Sequence, residues 1–300
     1  MTVWRIHLRA SGVNPDKHCL EKGIVGVGWQ VDNALDNCSL EEYWKLGRMK
    51  YGNSRWWSAP NAIAKKMQID DLVWTRDEQG CYYLGRVVGD WFYDTTEAAK
   101  KADIVNVRKC EWHKIGTAEK IPGKVVSCFS GRGRAVQKID GGDTINNFSQ
   151  KTYNKATRNQ FYKVGKLSNA DIFSLLSSDD CEDALAIYLY LKYDYFIIPS
   201  TCKKNTMGVE YVLINKKTGK SAVAQVKSGN VRLNRDVFSK FDTDVFLFAT
   251  CGQYYGSEKP NITTINPCVI KEFLYEPANL HLLPEKIRTW VEETKEQQNA

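Results

Sequence analysis

The sequence lacks the features that mark membrane and secreted proteins. Its 300 residues include no apolar stretch long enough to cross a bilayer. The N-terminus has no charged segment followed by an apolar run, so no signal peptide is apparent. The nine cysteines are odd in number and form no Cys-x-x-Cys pair, which indicates free thiols in a reducing compartment. We therefore expect a cytoplasmic protein that has no membrane partner.

Histidine is also scarce. The four histidines, at positions 7, 18, 113 and 281, have no metal-site spacing, which argues against a structural zinc. No internal repeat or low-complexity segment is present. The apolar fraction of 43% is sufficient for packed cores, and the length is sufficient for two domains.

Two short apolar runs between positions 209 and 227 predict a β-hairpin. They flank the turn Lys-Lys-Thr-Gly-Lys, and strands rich in Val, Ile and Tyr around a glycine-containing turn are typical of hairpins. Pairing about that turn places Glu210 opposite Gln225. Because side chains alternate along a strand, Gln225 and Lys227 share one side. The sequence thus predicts a carboxylate, an amide and an ammonium group together at the open end of the hairpin.

This hairpin resembles the core of the PD-(D/E)xK nucleases, in the Gln-x-Lys variant of the Mrr-like restriction endonucleases. The residues that carry the resemblance are Gly208, Glu210 and Gln225-Val226-Lys227. Upstream, residues 179–195 are similar to the family's first helix, which often carries a glutamate. Downstream, residues 244–250 are similar to the next core strand. The resemblance covers residues 166–275 and implies a restriction-endonuclease-like α/β/α core.

The chain departs from the family pattern at two positions. Glu210 stands where an aspartate is usual, and Gln225 stands where a second acid is usual. The chemistry still explains the residue types, because Mg²⁺ takes carboxylate and carbonyl oxygens. Glu210, Gln225 Oε1 and the Val226 carbonyl would be ligands of Mg²⁺, with Mn²⁺ able to replace it. Lys227 would orient water or stabilise the phosphate in the transition state. Glu182 is the candidate second carboxylate.

Each of these residues also has a structural interpretation. Glu210 and Lys227 fit an ordinary charge pair across two strands. Asp179-x-x-Glu182 fits a helix capping box, so Glu182 could cap the helix, support a metal, or do both.

The net charge of +7 is concentrated between positions 124 and 166. That segment carries two acids, Asp140 and Asp143, and nine cations: Lys124, Arg132, Arg134, Lys138, Lys151, Lys155, Arg158, Lys163 and Lys166. Residues 139–165 are interpreted as a basic linker. We expect Arg132 and Arg134 to contact the phosphate backbone of a nucleic acid. A solvated linker is the alternative.

Aromatic residues distinguish the first half of the chain, because eight of the nine tryptophans lie within the first 112 residues. The pattern predicts strands over 4–8, 23–31, 71–76, 81–88 and 124–129, and helices over 39–50 and 59–67. The motif Ile69-Asp70-Asp71-Leu72-Val73-Trp74 before Tyr83-Leu84-Gly85-Arg86-Val87 resembles the PUA-like barrels and their EVE members. Asp70 stands where glycine is usual. The resemblance covers residues 1–135 and implies a PUA-like β-barrel with helices.

Barrels of this type often hold a flipped, modified base in an aromatic cage, and stacking on aromatic rings offsets the cost of extruding the base. The resemblance implies that Trp29, Trp56, Trp57 and Trp74 bind nucleic acid in this way. The alternative is that they pack in the core or at the rim of the domain. Trp56 and Trp57 are adjacent and cannot both face inward in an extended chain, so we expect one to be exposed.

The sequence therefore predicts a mixed α/β protein with a base-reading domain over 1–138, a basic linker over 139–165 and a nuclease domain over 166–300. The function that fits is a modification-dependent DNA endonuclease that restricts foreign double-stranded DNA by metal-dependent phosphodiester hydrolysis. Cleavage of both strands by one active site per chain favours a homodimer. Two alternatives remain open: an inactive protein that binds modified bases, or an RNA-binding or RNA-processing protein of the PUA type.

Overall fold

The structure is a computed structural model that describes residues 1–8, 13–36, 38–52, 54–129, 134–165, 171–202 and 208–295. The chain divides into two compact units, Met1–Lys166 and Leu167–Ala300. The mixed α/β class expected from the sequence is confirmed. None of the helices in the described residues is long and apolar enough to cross a membrane. All nine cysteines are free thiols, as expected.

The first unit is built on a six-stranded sheet, counted over its described residues. Its strands are β1 (Val3–Ile6), β2 (Ile24–Val27), β3 (Leu72–Arg76), β4 (Tyr82–Tyr93), β5 (Asn106–Gly116) and β6 (Val136–Lys138). Its helices are α1 (Pro15–Lys22), α2 (Leu40–Tyr51), α3 (Ser58–Asn61), α4 (Glu97–Ala102), α5 (Gly123–Ser127) and α6 (Gly142–Thr157). A 3₁₀ turn at Arg55–Trp57 and a π turn at Ala62–Lys66 flank α3. The strands follow the order β2-β5-β4-β3-β1-β6.

The prediction of a closed β-barrel in the first unit is wrong, because the sheet is open. Closing a barrel requires every strand to be hydrogen-bonded on both sides. The edge strands β2 and β6 each pair with one neighbour, and among the described residues no strand pairing joins them to each other. Both edge strands are short, with four and three residues, so they have few groups with which to close the sheet.

The two faces of this sheet have different character. Alternation along the strands sends Ile6, Val73 and Val87 into the main hydrophobic core. The opposite face carries Arg5 on β1 and Trp74 on β3, and both side chains are buried. A polar and aromatic second layer therefore covers one side of the sheet.

Residues 139–165 form part of that second layer, so their interpretation as a linker is wrong. Most of the segment is α6, whose buried residues Ile145, Phe148, Ser149 and Tyr153 follow helical spacing. Ser149 accepts a hydrogen bond from Trp74 Nε1 at 3.0 Å, which attaches the helix to the sheet. The high density of polar residues in this segment concealed its apolar stripe.

Residues 124–129 were also assigned wrongly, since this predicted strand is largely helix α5. Two adjacent valines favour a strand by propensity, but that preference is weak compared with tertiary packing. Val125 is fully buried in the helical turn. The predicted strand at 81–88 does exist, and it continues to Tyr93.

The second unit contains a five-stranded mixed sheet, counted over its described residues, in the order β13-β11-β9-β8-β7. The strands of the unit are β7 (Tyr195–Ile197), β8 (Tyr211–Asn215), β9 (Ser221–Lys227), β10 (Leu233–Asn234), β11 (Asp244–Ala249), β12 (Tyr254–Tyr255) and β13 (Ile262–Ile265). Its helices are α7 (Ile172–Leu175), α8 (Ser178–Tyr193), α9 (Pro267–Tyr275) and α10 (Glu285–Lys295). β10 and β12 form a separate small ladder.

Strand β9 occupies the centre of this sheet, antiparallel to β8 and parallel to β11. Because β9 is covered on both faces, it reads as a nearly continuous apolar run that is interrupted by Gln225. The connection from β9 to β11 contains the short ladder strand β10 and a 3₁₀ turn at Arg235–Phe238. Just beyond the end of β9, Ser228 Oγ lies 3.2 Å from Ser178 Oγ at the start of α8.

Candidate functional site

The turn of the β8–β9 hairpin determines which residues meet at its open end. Asn215 Oδ1 accepts hydrogen bonds from the backbone N–H groups of Lys217 and Thr218, each at 3.0 Å. Gly219 completes the turn with φ +71°, a conformation that glycine adopts without a Cβ clash. The resulting register pairs Tyr211 with Ala224.

One residue before β8, the same register places Glu210 opposite Gln225, as the sequence predicted. The Glu210 backbone N–H still donates to the Ala224 carbonyl at 3.0 Å. Gln225 Nε2 donates to Glu210 Oε1, and Lys227 Nζ lies 3.1 Å from that same oxygen. Gln225 is only 4% exposed, whereas the side chains of Lys227 and Glu210 are partly open to solvent. We call Glu182, Glu210, Gln225 and Lys227 the hairpin site.

Glu182 reaches this site from helix α8. The capping box of α8 is formed by Ser177 and Asp180, so Glu182 has no part in the cap. Tyr211, adjacent to Glu210, donates from its hydroxyl to the Glu182 carbonyl at 3.2 Å and ties the helix to strand β8. Burial raises the pKa of Glu182 to about 7, and the negative charge of Glu210 acts in the same direction. This carboxyl is therefore close enough to Glu210 to feel its charge.

The donor set of the hairpin site fits a hard divalent cation only in part. Within the described residues, no three His, Cys, Asp or Glu side chains are grouped as metal ligands. The oxygens near one another are the carboxylates of Glu210 and Glu182, the amide of Gln225 and the Val226 carbonyl. Gln225 Nε2 donates to Val226 O at 3.1 Å as well as to Glu210, so the amide presents its N–H side to these oxygens. For Oε1 to be a ligand, the amide would have to rotate.

The four tryptophans singled out in the first unit do not form one cage. Trp74 is fully buried and bonded to α6, so its assignment as a base-reading residue is wrong. Trp29 is partly exposed and packs edge-on against Tyr51 with ring centroids 5.5 Å apart. Trp56 is 2% exposed and Trp57 is 51% exposed, which confirms that only one of the pair faces inward.

Trp56 packs in the core between the aromatic residues of α2. Its ring lies 5.9 Å from Tyr43 and 5.3 Å from Trp44, measured between centroids. Gly47 allows this approach, because a Cβ at that position would overlap the Trp56 indole. The edge of Trp56 still lines a groove, but the bulk of its ring cannot stack on a ligand.

The groove lies between α2 and residues 54–65 and has a volume of about 1620 Å³. Its lining includes Trp44, Lys45, Arg48, Met49, Trp57 and Lys65. Lys65 Nζ lies 5.8 Å from the centroid of the Trp44 ring. The indole N–H of Trp44 is buried and has no hydrogen-bond partner among the described residues. We call this feature the tryptophan groove.

Sequence reasoning missed most residues of the tryptophan groove. The lining positions 41, 45 and 48 follow a 3.6-residue period and lie on one face of α2, which a helical-face count would have shown. Lys65 comes from a different segment and gave no comparable signal.

The two arginines of the basic segment have different outcomes. Arg132 lies outside the described residues. Arg134 is exposed, and its backbone carbonyl accepts a hydrogen bond from Arg5 Nη1. The Arg134 side chain is therefore accessible, as a phosphate contact requires.

Comparison with known proteins gives one finding. Residues 4–126 match the model of a family described as a domain of unknown function, DUF8426. No curated protein matches the chain. The matched stretch lies within the first unit, runs from β1 to α5 and includes the tryptophan groove.

Proposed function

We propose that this protein is a DNA endonuclease whose second unit hydrolyses phosphodiester bonds with Mg²⁺ and whose first unit reads modified bases. The single observation that carries the proposal is the contact of Glu210 with both Gln225 and Lys227 at the end of a central strand. Gln225-Val226-Lys227 matches the Gln-x-Lys motif of the Mrr-like PD-(D/E)xK nucleases, and Glu210 stands where the family usually has an aspartate. The order α8-β7-β8-β9-β11 supports the same family, since it brings the helix glutamate to that motif.

Lys227 is the residue that acts on the substrate phosphate. Its ammonium group is partly exposed at the open end of the hairpin and is held by Glu210 at 3.1 Å. A fixed cation at this place stabilises the extra negative charge of the pentacovalent phosphate. In this role it favours the transition state over the bound substrate, which is the requirement for an effect on rate.

The divalent ion would be held by Glu210, Glu182, Gln225 and the Val226 carbonyl. The ion would neutralise a non-bridging oxygen and acidify the attacking water. Glu210 is partly exposed and able to bind it, whereas Glu182 must first release its proton, because burial raises the pKa of Glu182 to about 7. Rotation of the Gln225 amide would turn Oε1 toward the carboxylates.

The tryptophan groove supports the proposed recognition of modified bases by the first unit. Its volume of about 1620 Å³ is above the usual 300–1,000 Å³ of small-molecule pockets, which favours a polymer. The exposed Trp57 ring offers a stacking surface for a base. The groove is also lined by Lys45, Arg48 and Lys65, whose positive charge for the phosphates exceeds the negative charge of Glu41 and Glu42 by one.

A binding protein without nuclease activity is the second candidate. The Gln225 N–H group and the Lys227 ammonium both contact Glu210, which stabilises the site in a metal-independent arrangement. In that case the hairpin site would be structural, and the first unit alone would carry the function, with DNA or RNA as its ligand.

Digestion of unmodified, methylated and hydroxymethylated duplex DNA in the presence of Mg²⁺ or Mn²⁺ tests the proposal. We expect metal-dependent cleavage of a modified duplex by the full chain, and loss of cleavage in Lys227→Ala. Lys220→Ala changes an exposed lysine of the same hairpin and should cleave normally. DNA binding without cleavage by the wild-type protein would support the second candidate, and preference for single-stranded RNA would assign the first unit to RNA.

A further inference from the structure

Outside the hairpin site and the tryptophan groove, three neighbouring interior strands of the first unit bring two arginines and a tyrosine together at their ends. β1 runs parallel to β3, and β3 runs antiparallel to β4, so the ends of β1 and β3 meet the start of β4. Arg5 pairs with Trp74, and Arg76 pairs with Tyr82. Because residues two apart on a strand share a face, Arg5, Arg76 and Tyr82 lie on the same side of the sheet.

The ring of Phe129 is the common neighbour of these side chains. The guanidinium carbons of Arg5 and Arg76 each lie 5.7 Å from its centroid. Arg76 also lies 5.8 Å from the ring centroid of Tyr82, whose ring meets Phe129 edge-on at 5.5 Å. One phenyl ring therefore has two guanidinium groups beside it. We call Arg5, Arg76, Tyr82 and Phe129 the arginine cluster.

Among the residues that the structure describes, no acid forms an ion pair with either guanidinium of the arginine cluster. Arg5 is fully buried, and its Nη2 donates to Gln137 Oε1 at 2.9 Å while its Nη1 donates to the carbonyls of Arg134 and Ala135. All three acceptors are uncharged. Between described residues, the ion pairs that involve arginine are made by Arg86, Arg108 and Arg235.

Arg86 shows how the same unit compensates a partly buried arginine when the role is structural. Its two terminal nitrogens bind Asp70 at 2.9 Å and Glu111 at 2.8 Å, and its Nε donates to Tyr153 at 3.1 Å. Each nitrogen of that guanidinium therefore has a hydrogen-bonding partner. The arginine cluster, by contrast, combines a fully buried guanidinium, that of Arg5, with the partly exposed one of Arg76. A buried positive charge is unfavourable without a counter-ion.

Three hydrogen-bond donors of the arginine cluster are also unpaired. Nε of Arg5, Nε of Arg76 and the hydroxyl of Tyr82 are buried and have no hydrogen-bond partner among the described residues. Tyr82 is 1% exposed, so its hydroxyl depends on a partner other than bulk solvent. Buried polar groups in folded proteins are nearly always satisfied. Three orphaned donors around one ring therefore point to a ligand that supplies several acceptor oxygens and negative charge.

We propose that the arginine cluster is a binding site for a phosphate group. A phosphate monoester carries up to two negative charges and three terminal oxygens, which match two uncompensated guanidiniums and the Tyr82 hydroxyl. A carboxylate brings one charge and two oxygens and would leave one arginine uncompensated. The proposal concerns the first unit alone and does not depend on hydrolysis by the second unit.

Calorimetry and thermal unfolding of the full chain with inorganic phosphate test this site, with chloride at equal ionic strength and acetate as references. We expect phosphate to bind and to raise the Tm, and acetate and chloride to have no specific effect. Arg76→Gln removes a partly exposed cation and should weaken phosphate binding at least about tenfold, because hydrogen bonds to charged groups are the strong ones. Arg55→Gln makes the same change at an exposed position of the same unit and should bind phosphate normally.

Tyr82→Phe provides a second variant that keeps the ring and removes only the unpaired hydroxyl. Without phosphate it should unfold at the same Tm as the wild type or a higher one, since an unsatisfied buried group is lost. With phosphate its gain in Tm should be smaller than that of the wild type. Equal phosphate binding by wild type, Arg76→Gln and Tyr82→Phe, or no phosphate-specific rise in Tm for the wild type, would overturn the proposal.

The bound phosphate could belong to the end of a nucleic acid or to a small phosphate-bearing molecule. Two oligonucleotides of the same sequence, one with a 5′-phosphate and one with a 5′-hydroxyl, distinguish these sources. Tighter binding of the phosphorylated strand, lost in Arg76→Gln, would assign the site to a nucleic-acid end. Equal binding of both strands, together with binding of inorganic phosphate, would assign it to a free phosphate-bearing molecule. Both results support a phosphate site.

Discussion

In the hairpin site a lysine lies among carboxylates, whereas in the arginine cluster two guanidiniums meet only uncharged acceptors. Lys227 contacts Glu210, and both lie close enough to Glu182 to affect its pKa. Once Glu182 has released its proton, two acids and one lysine leave a negative balance, which suits a cation. Arg5 and Arg76 leave a positive balance, which suits an anion. The balance of charge left after internal pairing thus indicates the class of ligand in each unit.

Lys227→Ala removes the only lysine named in the hairpin site and is the most direct test of its catalytic role. Under the proposed function, this change removes stabilisation of the transition state and should lower the cleavage rate by about 10²–10³-fold, the usual loss for one such group. DNA affinity should change little. Cleavage kinetics with saturating Mg²⁺ and a binding assay on the same variant measure the two effects, and Lys220→Ala is the control. Cleavage by Lys227→Ala at the wild-type rate would refute the assignment.

The buried and the exposed tryptophan of the first unit should respond in opposite ways. Trp56→Ala leaves a cavity in the core and should lower the free energy of unfolding by about 3–5 kcal/mol. Trp57→Ala should leave stability nearly unchanged but weaken binding of modified DNA by about 1–3 kcal/mol, the range for base–aromatic stacking. Denaturant unfolding and DNA titration at fixed salt distinguish these effects.

Trp29→Ala is the matched control for Trp57→Ala, because it removes another partly exposed tryptophan that packs elsewhere, against Tyr51. It should bind modified DNA as the wild type does. If Trp57→Ala binds all substrates normally and stays folded, the tryptophan groove is not a stacking site.

Gln225→Glu should make the hairpin site more negative and sharpen its preference for a cation. A third carboxylate near Glu210 and Glu182 should tighten Mg²⁺ binding by about tenfold, equivalent to 1.4 kcal/mol. Gln253→Glu adds the same charge at an exposed position and should have little effect. Calorimetric titration with Mg²⁺ and Mn²⁺ measures the change. Identical metal affinities for the wild type and Gln225→Glu would exclude Gln225 as a ligand.

The pKa of Glu182 predicts a change of stability with pH. Burial raises this pKa from 4.5 to about 7 in the folded protein. Between these values the folded chain keeps a proton that the unfolded chain has lost, so this contribution to stability falls as pH rises toward 7. Glu182→Gln should remove this pH dependence and raise stability at pH 8 by about 1–2 kcal/mol, less than the full shift implies because the residue is partly exposed. Parallel pH profiles of Tm for both proteins would contradict this prediction.

The hairpin was predictable from sequence because its determinants are local. The glycine-containing turn fixes the register, and a strand has a strict period of two, so Glu210 and Gln225 had to face each other once the hairpin formed. The approach of Glu182 depends on how α8 packs over β8 through Tyr211, which no local pattern contains. The capping box at Ser177 and Asp180 also lay two residues before the one that the sequence favoured.

The first unit was predicted less well because its features depend on contacts that are distant along the chain. Trp56 and Trp57 are neighbours in sequence, yet one is core and the other exposed. Trp74 is buried under α6, a helix that the polar sequence of residues 139–165 concealed. Aromatic residues suit both cores and binding surfaces, so composition alone could not separate these roles.

The sequence by itself determined the mixed α/β class, the hairpin and the residues that meet at its open end, since turn chemistry and strand alternation act over a few residues. Tertiary structure alone decided that the first sheet stays open, that α6 covers one face of it, and that Arg5 and Arg76 share the ring of Phe129. These features join segments up to about 130 residues apart, as in the hydrogen bond from Arg5 to Ala135. Packing of whole elements determines such contacts, and no local period encodes it.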